Sequence, residues 1–438
     1  MRKDKFTALS YVIMGSANII GGQIIKGLIF LAAEAAYIFY MMQYGFDALV
    51  GLVTLGTKQQ TSVYDESLGF NVTVKGDNSM LFMISGVAAA LITVIFLLVY
   101  ILNVKSAIKI RSILKKGEKP PSFYEEVYTL LSSRFHITLM TLPIAGIVIF
   151  TVLPLIFMIL IAFTNYDRNH QPPGNLFDWI GFENFSNMLY KSELLSGTFF
   201  PVLLWTLCWA VIATASCYIL GIAVAVLINQ KGIRFKPMWR TILVITIAIP
   251  QFISLLVMRN MLNELGPLNT LLLDWGIIDK AIPFLTDTTY ARLSLFAVNL
   301  WVGIPYTMIM VSGILMNIPE DMYEAARIDG AGPVKMFTKI TMPQIWFVTA
   351  PFLITQFIGN INNFNVIYLL TGGTPLSTDY YVAGKTDLLV TWLYKLTADE
   401  KDYSLASTIG ILVFVISIII SLTAYRRTAS YKKEDMYS

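Results

Sequence analysis

Four asparagines, Asn360, Asn362, Asn363 and Asn365, interrupt the apolar stretch QFIGNINNFNVIYLL, and Gln356 opens it. Carboxamides carry both donors and acceptors, and bare amides in hydrocarbon are costly, so these must face protein or a water-filled cavity. At about 100° per residue, Gln356, Asn360, Asn363 and Ile367 share one narrow helix face, which reads as a candidate site. Asn362 and Asn365 point elsewhere and read as interhelical bonds. The alternative, that all the amides bond neighbouring helices, stays open on these residues alone. A second polar interruption, WVGIPYTM, places Tyr306 near mid-span rather than at an interface, with Gly303 and Pro305 able to open the backbone ladder. A third, IPQFIS, adds Gln251 and Ser254 as further candidates.

Other chemistries lack their residues. The only histidines, His136 and His170, have no clustered ligands, so neither metal nor acid–base catalysis is expected. Cys208 and Cys217 lie nine positions apart in one span, a spacing that suits neither a disulfide nor a zinc site, and they read as buried small residues. The string DYYVAGKT ends like a phosphate-binding loop but has Asp379 where a glycine is required. Any ATP hydrolysis must therefore come from another subunit.

The elements that position these residues are membrane spans. The chain has 438 residues, of which 56% are hydrophobic and 14% charged, and its mean hydropathy is +0.64; a soluble domain would have about a quarter of its residues charged. Apolar runs long enough to cross a bilayer predict eight helices, near 26–44, 80–103, 137–163, 201–228, 241–263, 292–316, 345–370 and 404–425. The fold class is an all-α polytopic membrane protein. Basic residues mark the cytoplasmic side: Lys105, Lys109, Arg111, Lys115, Lys116, Lys119 and Arg134 crowd one link, and Lys231, Arg234, Lys236 and Arg240 another. The basic ends, MRKDK and YRRTASYKK, fall on the same side, so both termini are expected in the cytoplasm. The net charge of +4 is then a topology signal, and no nucleic-acid partner is needed. SYVIMGSANIIGGQIIKG reads as an interfacial helix leading into the first span rather than a cleavable signal. Glu34, inside that span, is open to pairing, snorkelling or function.

Between the sixth and seventh spans runs NIPEDMYEAARIDGAGPVKMFTKITMP. Pro319 suits a first helical position, Glu320 and Asp321 suit the positive end of the helix dipole, and Gly330 can close the helix in a left-handed conformation. A helix of about eleven residues follows, roughly 16 Å long. Gly332-Pro333 then resets the chain, and VKMFTKI starts a second short helix before Pro343. Ala325 and Ala326 leave the first helix thin enough for close approach by a partner, with Glu324 and Arg327 offering opposite charges beside them. An ordinary solvated loop helix is the alternative.

Here a family pattern is met. Glu324-Ala325-Ala326, Gly330, Ile340 and Met342-Pro343 closely resemble the EAA loop, EAA-x3-G-x9-I-x-LP, of ABC importer permeases, with Met342 in place of leucine. DWIGFENFSNML resembles an external segment of sugar permeases, through Gly181, Asn184 and Phe185. The two extra N-terminal spans resemble the MalF-type maltose and maltodextrin permeases, and the short loop after the third span resembles the Gram-positive MalC group among them.

The resemblance implies an ABC importer type I permease fold. It gives an N-terminal segment 1–136 with two additional spans, a six-helix core 137–425 with its coupling loop at 317–344, and a cytoplasmic tail 426–438. It implies a non-catalytic transmembrane subunit of a bacterial maltose or maltodextrin importer. The expected partners are a second permease subunit of MalG or MalD type, an ATPase homodimer carrying the ATP and magnesium, and a lipid-anchored extracellular sugar-binding protein. No cofactor is expected on this subunit. Glu324, Ala325, Ala326, Arg327 and Gly330 would form the coupling helix. Asn360 and Asn363 would hydrogen-bond sugar hydroxyls, with Gly303, Tyr306, Gln356 and Gly359 at the same cavity and Ser254 nearby. Tyr306 suits stacking on the apolar face of a sugar. Gln356 and Gly359 replace a serine and a phenylalanine of the maltose pattern, and the smaller Gly359 would widen the site.

Two other classes fit less well. An ion-coupled secondary sugar transporter can share broken helices and midplane polar groups, but the spans from the fifth onward offer amides and no carboxylate triad. A membrane glycosyltransferase would need acidic or metal-binding clusters at the membrane surface.

Overall fold

The computed structural model describes residues 9–230 and 232–426. The MRKDK end, Lys231 and nearly all of the tail lie outside the described residues. The chain divides into two compact units, Met1–Gly181 and Phe182–Ser438.

In the first unit, α1 (Ile24–Thr54), α2 (Ser79–Lys115) and α3 (Phe135–Ile161) are each long and apolar enough to span a membrane. α1 runs ten residues past its predicted end, through a π-helical turn at Met41–Gly45. α2 likewise runs on through the basic segment, whose Lys, Arg and Ile are all tolerated in a helix interior. α1 and α2 interlock: Tyr37 stacks on Phe96 with centroids 3.9 Å apart, and a Cβ on Gly86 would meet Ala48 O at 2.8 Å. The loop between them departs from the all-α expectation. It holds an antiparallel hairpin, β1 (Thr61–Asp65) with β2 (Phe70–Val74), in register Thr61↔Val74 to Asp65↔Phe70. Five-residue strands bury too little to announce themselves by hydropathy.

The interfacial helix also fails to form as expected. Before α1 begins only Ser16–Ile20 of that segment is helical, because Gly15 and Gly22 both take positive φ. Its polar side chains turn inward onto α2. Asn103 accepts from Ser10 Oγ at 3.2 Å and Gly15 N at 2.9 Å, while Asn18 Nδ2 donates to Ser106 Oγ at 2.9 Å. Glu34 accepts from Met14 N at 2.8 Å, which ties α1 back to the segment before it.

The second unit is built around α4 (Glu193–Asn229), which contributes to three apolar clusters. Phe199, Val202 and Ala210 pack with α11 (Leu389–Ala398) and α12 (Tyr403–Arg426). Trp205, Trp209 and Ala213 pack with α6 (Gln251–Met261), α7 (Thr288–Asn317) and α10 (Phe364–Leu370). Tyr218, Ile222 and Ala225 pack with α7 and α9 (Met342–Ile361). α4 and α7 approach closely where side chains vanish: a Cβ on Gly221 would lie 2.5 Å from Thr307, and one on Gly303 would lie 2.6 Å from Cys217 Sγ. Cys217 is buried as expected, but Cys208 is exposed, since it lies on the outer face of α4.

Two predicted spans are broken. α5 (Lys236–Ala248) meets α6 at a 93° bend across Ile249-Pro250. Pro250 has no N–H to continue the ladder, and the residue before it is held extended, with Ile249 at ψ 129°. The seventh span breaks at Asn362-Asn363, between α9 and α10. By contrast α7 runs unbroken through Gly303 and Pro305. Gly303 is there for the close approach of α4, and the backbone does not open.

Candidate functional site

The break in the seventh span builds the site. Asn362 ends α9, and Asn363 starts α10 as its N-cap, accepting from Val366 N at 3.3 Å. Across that break the helical wheel no longer holds. The expected division into one site face and one bonding face holds only in part: Asn365 makes an interhelical bond, to Gln251 of α6, yet Asn360, Asn362, Asn363 and Asn365 all line one cavity of about 330 Å³. Gln356 and Gly359 join them from α9, Asn299, Gly303 and Tyr306 from α7, and Gln251 from α6. Ile367, placed on the site face by periodicity, is fully buried in the apolar cluster instead.

Ser254 does not line the cavity. It lies one turn beyond Gln251, where α6 packs along α10, and is 7% exposed. Asn299 was missed, although an asparagine four residues before Gly303 on the same helix was a readable signal. Its Nδ2 donates to Cys217 Sγ at 3.5 Å.

The polar lining divides by what it already bonds. Asn360 is buried, donates from Nδ2 to Thr214 Oγ1 at 2.9 Å and accepts from Asn363 Nδ2 at 3.3 Å. Asn362 returns to Ile358 O at 3.1 Å, and Asn365 reaches Gln251 Oε1 at 3.4 Å. Tyr306 and Gln356 make no side-chain hydrogen bond among the described residues, and Tyr306 is 49% exposed. A Cβ on Gly359 would meet nothing within 4 Å. The site thus offers an aromatic ring and spare amide capacity, with no charge among its lining side chains. It can hold a neutral polyhydroxylated solute by stacking and hydrogen bonds.

The elbow lies in the same unit. α8 (Glu320–Ile328) is a nine-residue helix, two shorter than expected because Pro319 stands at its N-cap and Asp329 at its C-cap. Gly330 closes it at φ 74°, with Gly330 N bonding Arg327 O at 3.0 Å and Ala331 N bonding Ala326 O at 2.8 Å. These two bonds are the Schellman pattern. Glu324, Ala325 and Arg327 are exposed and Ala326 half-buried, and no ion pair joins Glu324 to Arg327. Ile328 and Val334 are 87% and 76% exposed, which adds an apolar surface that sequence reading had not singled out. The second elbow segment is not separate. Pro333–Met336 runs through a π-helical turn, Phe337–Thr341, directly into α9. Pro343 lacks a donor, and the wider turn before it absorbs the missing bond.

One bond closes the elbow onto the helix that leads into α9, and a separate polar node joins the spans beside it. Tyr323 Oη meets Thr341 Oγ1 at 2.8 Å. At the end of α4, Asn229 accepts on its side chain from Arg240 Nη2 at 2.6 Å and on its backbone carbonyl from Lys236 Nζ at 3.1 Å, and donates to Ser312 Oγ at 3.1 Å. α4, α5 and α7 thus meet at one asparagine.

A family model described as "Binding-protein-dependent transport system inner membrane component" matches residues 217–429. The galactooligosaccharides transport system permease protein GanP of Bacillus subtilis (strain 168) is 37% identical, the match covering 99% of this chain and 100% of that one. The chain belongs to the binding-protein-dependent transport permeases. Within this permease family, the maltodextrin transport system permease protein MdxF of the same organism is 34% identical over 99% of this chain and 98% of its own. The permease fold is also that of a bacterial ABC transporter involved in the import of the acidic polysaccharide alginate. That structure matches at TM-score 0.55 and 22% identity, over 69% of this chain and 97% of that chain. The permease is multi-pass: among the described residues six helices are long and apolar enough to span, and the bent pair α5–α6 makes a seventh span if counted as one. The matched region contains both the amide cavity and the elbow.

Among the described residues no group of three or more His, Cys, Asp or Glu could hold a metal. His136 is exposed. His170, expected to stand alone, contacts Asp167 Oδ1 through Nδ1 at 2.8 Å in a local turn.

Proposed function

We propose that this permease imports a neutral oligosaccharide of maltodextrin type, taken from an extracellular sugar-binding protein and driven by a cytoplasmic ATPase homodimer that carries the ATP and magnesium. A second permease subunit of MalG or MalD type would close the translocation path, and both termini would lie in the cytoplasm of a bacterial cell. The observation that carries this reading is the uncharged cavity, where amides from α6, α7 and α9–α10 and the free face of Tyr306 converge. Its volume, about 330 Å³, is at the lower end of the roughly 300–1,000 Å³ of small-molecule sites. Galactooligosaccharides are a second substrate reading, favoured by the full-length similarity to GanP. An ion-coupled secondary sugar transporter is opposed by the absence of a charged side chain from the cavity lining.

In the mechanism, the exposed surface of α8 enters a cleft on the ATPase, with Glu324 facing a basic residue there and Ile328 and Val334 covered on docking. Closure of the ATPase dimer pulls the elbow. The continuous helix from Pro333 into α9 carries that pull toward Gln356 and the break at Asn362. The cavity is turned outward without chemistry in this chain.

Uptake of labelled maltodextrins and galactooligosaccharides, in a strain lacking this subunit and complemented with variants, tests the reading. Tyr306→Ala and Gln356→Leu should each raise the apparent KM about 2- to 12-fold, the worth of one lost hydrogen bond or stacking contact of about 0.5–1.5 kcal/mol. Glu324→Lys should abolish uptake of every sugar while the protein still reaches the membrane. Normal uptake in Glu324→Lys would remove the coupling role, and unaltered KM values in both cavity variants would remove the sugar site.

A further inference from the structure

The first unit contains a second polar cavity, of about 480 Å³, whose chemistry is the opposite of the amide site. Lys26 of α1, Lys105 and Lys109 of α2, and Arg134, which follows the short helix Phe123–Leu131, all line it. A single carboxylate, Glu126, faces these four cations. Glu126 is already engaged: it accepts from Lys26 Nζ at 2.6 Å and from Gln23 Nε2 at 3.2 Å. Its neighbour Glu125 closes the capping box with Ser122 N at 2.8 Å. Lys105, Lys109 and Arg134 are exposed, and none makes an ion pair among the described residues.

The remaining lining is mostly apolar, with the hydroxyl residues Ser106 and Thr129 among it. Phe30 lies one turn further into α1 than Lys26, and Leu102 lies one turn before Ser106 on α2, on the side of the span. Leu102 and Leu130 are 58% and 41% exposed. The cavity therefore grades from cations at the end of the spans to apolar walls toward their middle. That gradient fits a phosphate with hydrocarbon attached below it, and a free anion would use only the cationic half. The floor is rigid, because Ser106 is held by Asn18 and Gln23 Nε2 also reaches Pro121 O at 2.6 Å.

We infer that this cavity binds the headgroup of an anionic phospholipid, with its phosphate between Lys105, Lys109 and Arg134 and its upper acyl chain along Phe30 and Leu102. Retention of basic residues on one side of the membrane accounts for their being at this end of the spans. It does not require three separate elements to aim them into one cavity. Basic pockets between spans are general sites for anionic lipid headgroups. The inference holds whichever leaflet this end of the unit occupies, and it is independent of the sugar reading.

The test is native mass spectrometry of the purified full-length chain in its complex, exchanged into detergent with defined phosphatidylglycerol or phosphatidylcholine. The wild-type complex should retain phosphatidylglycerol at least about tenfold better than phosphatidylcholine, and millimolar inorganic phosphate should not displace it. The triple variant Lys105→Gln, Lys109→Gln, Arg134→Gln should lose that preference. A charge-matched control, Lys115→Gln, Lys116→Gln, Lys119→Gln, removes exposed cations outside the cavity and should keep it. Equal retention of the two lipids by wild type, equal loss in the control, or displacement by inorganic phosphate would each overturn the lipid site. Thermal unfolding in phosphatidylcholine should be the same for both triple variants, which separates loss of lipid binding from loss of fold.

Discussion

The loop that follows α10 and the amide cavity are both rich in polar side chains, yet they are wired in opposite ways. In the loop, Asp387 is fully buried and accepts from Lys395 Nζ at 2.6 Å, Thr391 Oγ1 at 2.8 Å and Gly384 N at 2.7 Å. Burial pushes its carboxyl above the usual carboxylate range, and the Lys395 ammonium pulls it back. Thr371 and Thr386 share a hydroxyl contact at 2.9 Å, Trp205 Nε1 donates to Thr386 O, and Arg292 clasps Lys385 O at 2.8 Å. These groups spend their hydrogen-bonding capacity inside the protein. In the cavity, Tyr306 and Gln356 spend none. Polar residues of a membrane protein are thus separated into scaffold and site by leftover bonding capacity, which residue type does not reveal.

The largest effect should come from breaking the loop. Asp387→Ala leaves Lys395 buried and unpaired, and should cost about 3–5 kcal/mol of stability. Thermal unfolding of the purified complex measures it. The double variant Asp387→Asn, Lys395→Met should recover most of the loss, since it removes both charges. An Asp387→Ala protein of unchanged stability but lost uptake would move this loop from scaffold to site.

A smaller effect sharpens the boundary within the cavity itself. Asn360 lines the cavity but is bonded to Thr214 and Asn363, so Asn360→Leu should cost about 1–3 kcal/mol by leaving buried partners unsatisfied. Uptake should then fall in proportion to the folded protein. If folding were intact and uptake lost, Asn360 would be a sugar ligand, as the resemblance to maltose permeases implies, and its bond to α4 incidental.

How much of this was legible follows from what each signal measures. Hydropathy located the spans, since a bilayer imposes a length. Capping chemistry carried the elbow, because Gly330 answers a local backbone demand that needs no tertiary partner. The bend at Pro250 was legible for the same reason. The break at Asn362-Asn363 was not: periodicity assumes a continuous helix, and two consecutive asparagines ended it. Ser254 was misplaced because a rule about breaks says where a helix starts and not which neighbour covers its second turn. Gly303 lines the cavity, but its backbone does not open there, and its missing side chain makes room for Cys217. The hairpin at 61–74 was invisible, having no buried face to impose alternation.

The smallest effect on the fold should be the most informative about the substrate. Gly359 projects no Cβ contact within 4 Å, so a side chain there would enter the cavity and leave the helices undisturbed. Gly359→Phe should change stability by no more than about 0.5 kcal/mol, as for substitutions that touch no packed group. It should fill space otherwise open to a sugar ring and restore the phenylalanine of the maltose pattern. Uptake should then shift toward shorter oligosaccharides, with the apparent KM rising more for long chains than for a disaccharide. A uniform rise across all lengths would mean that the ring blocks the path rather than measuring the sugar. Because Tyr306 and Gln356 remain in place, either outcome separates the width of the cavity from its hydrogen-bonding capacity.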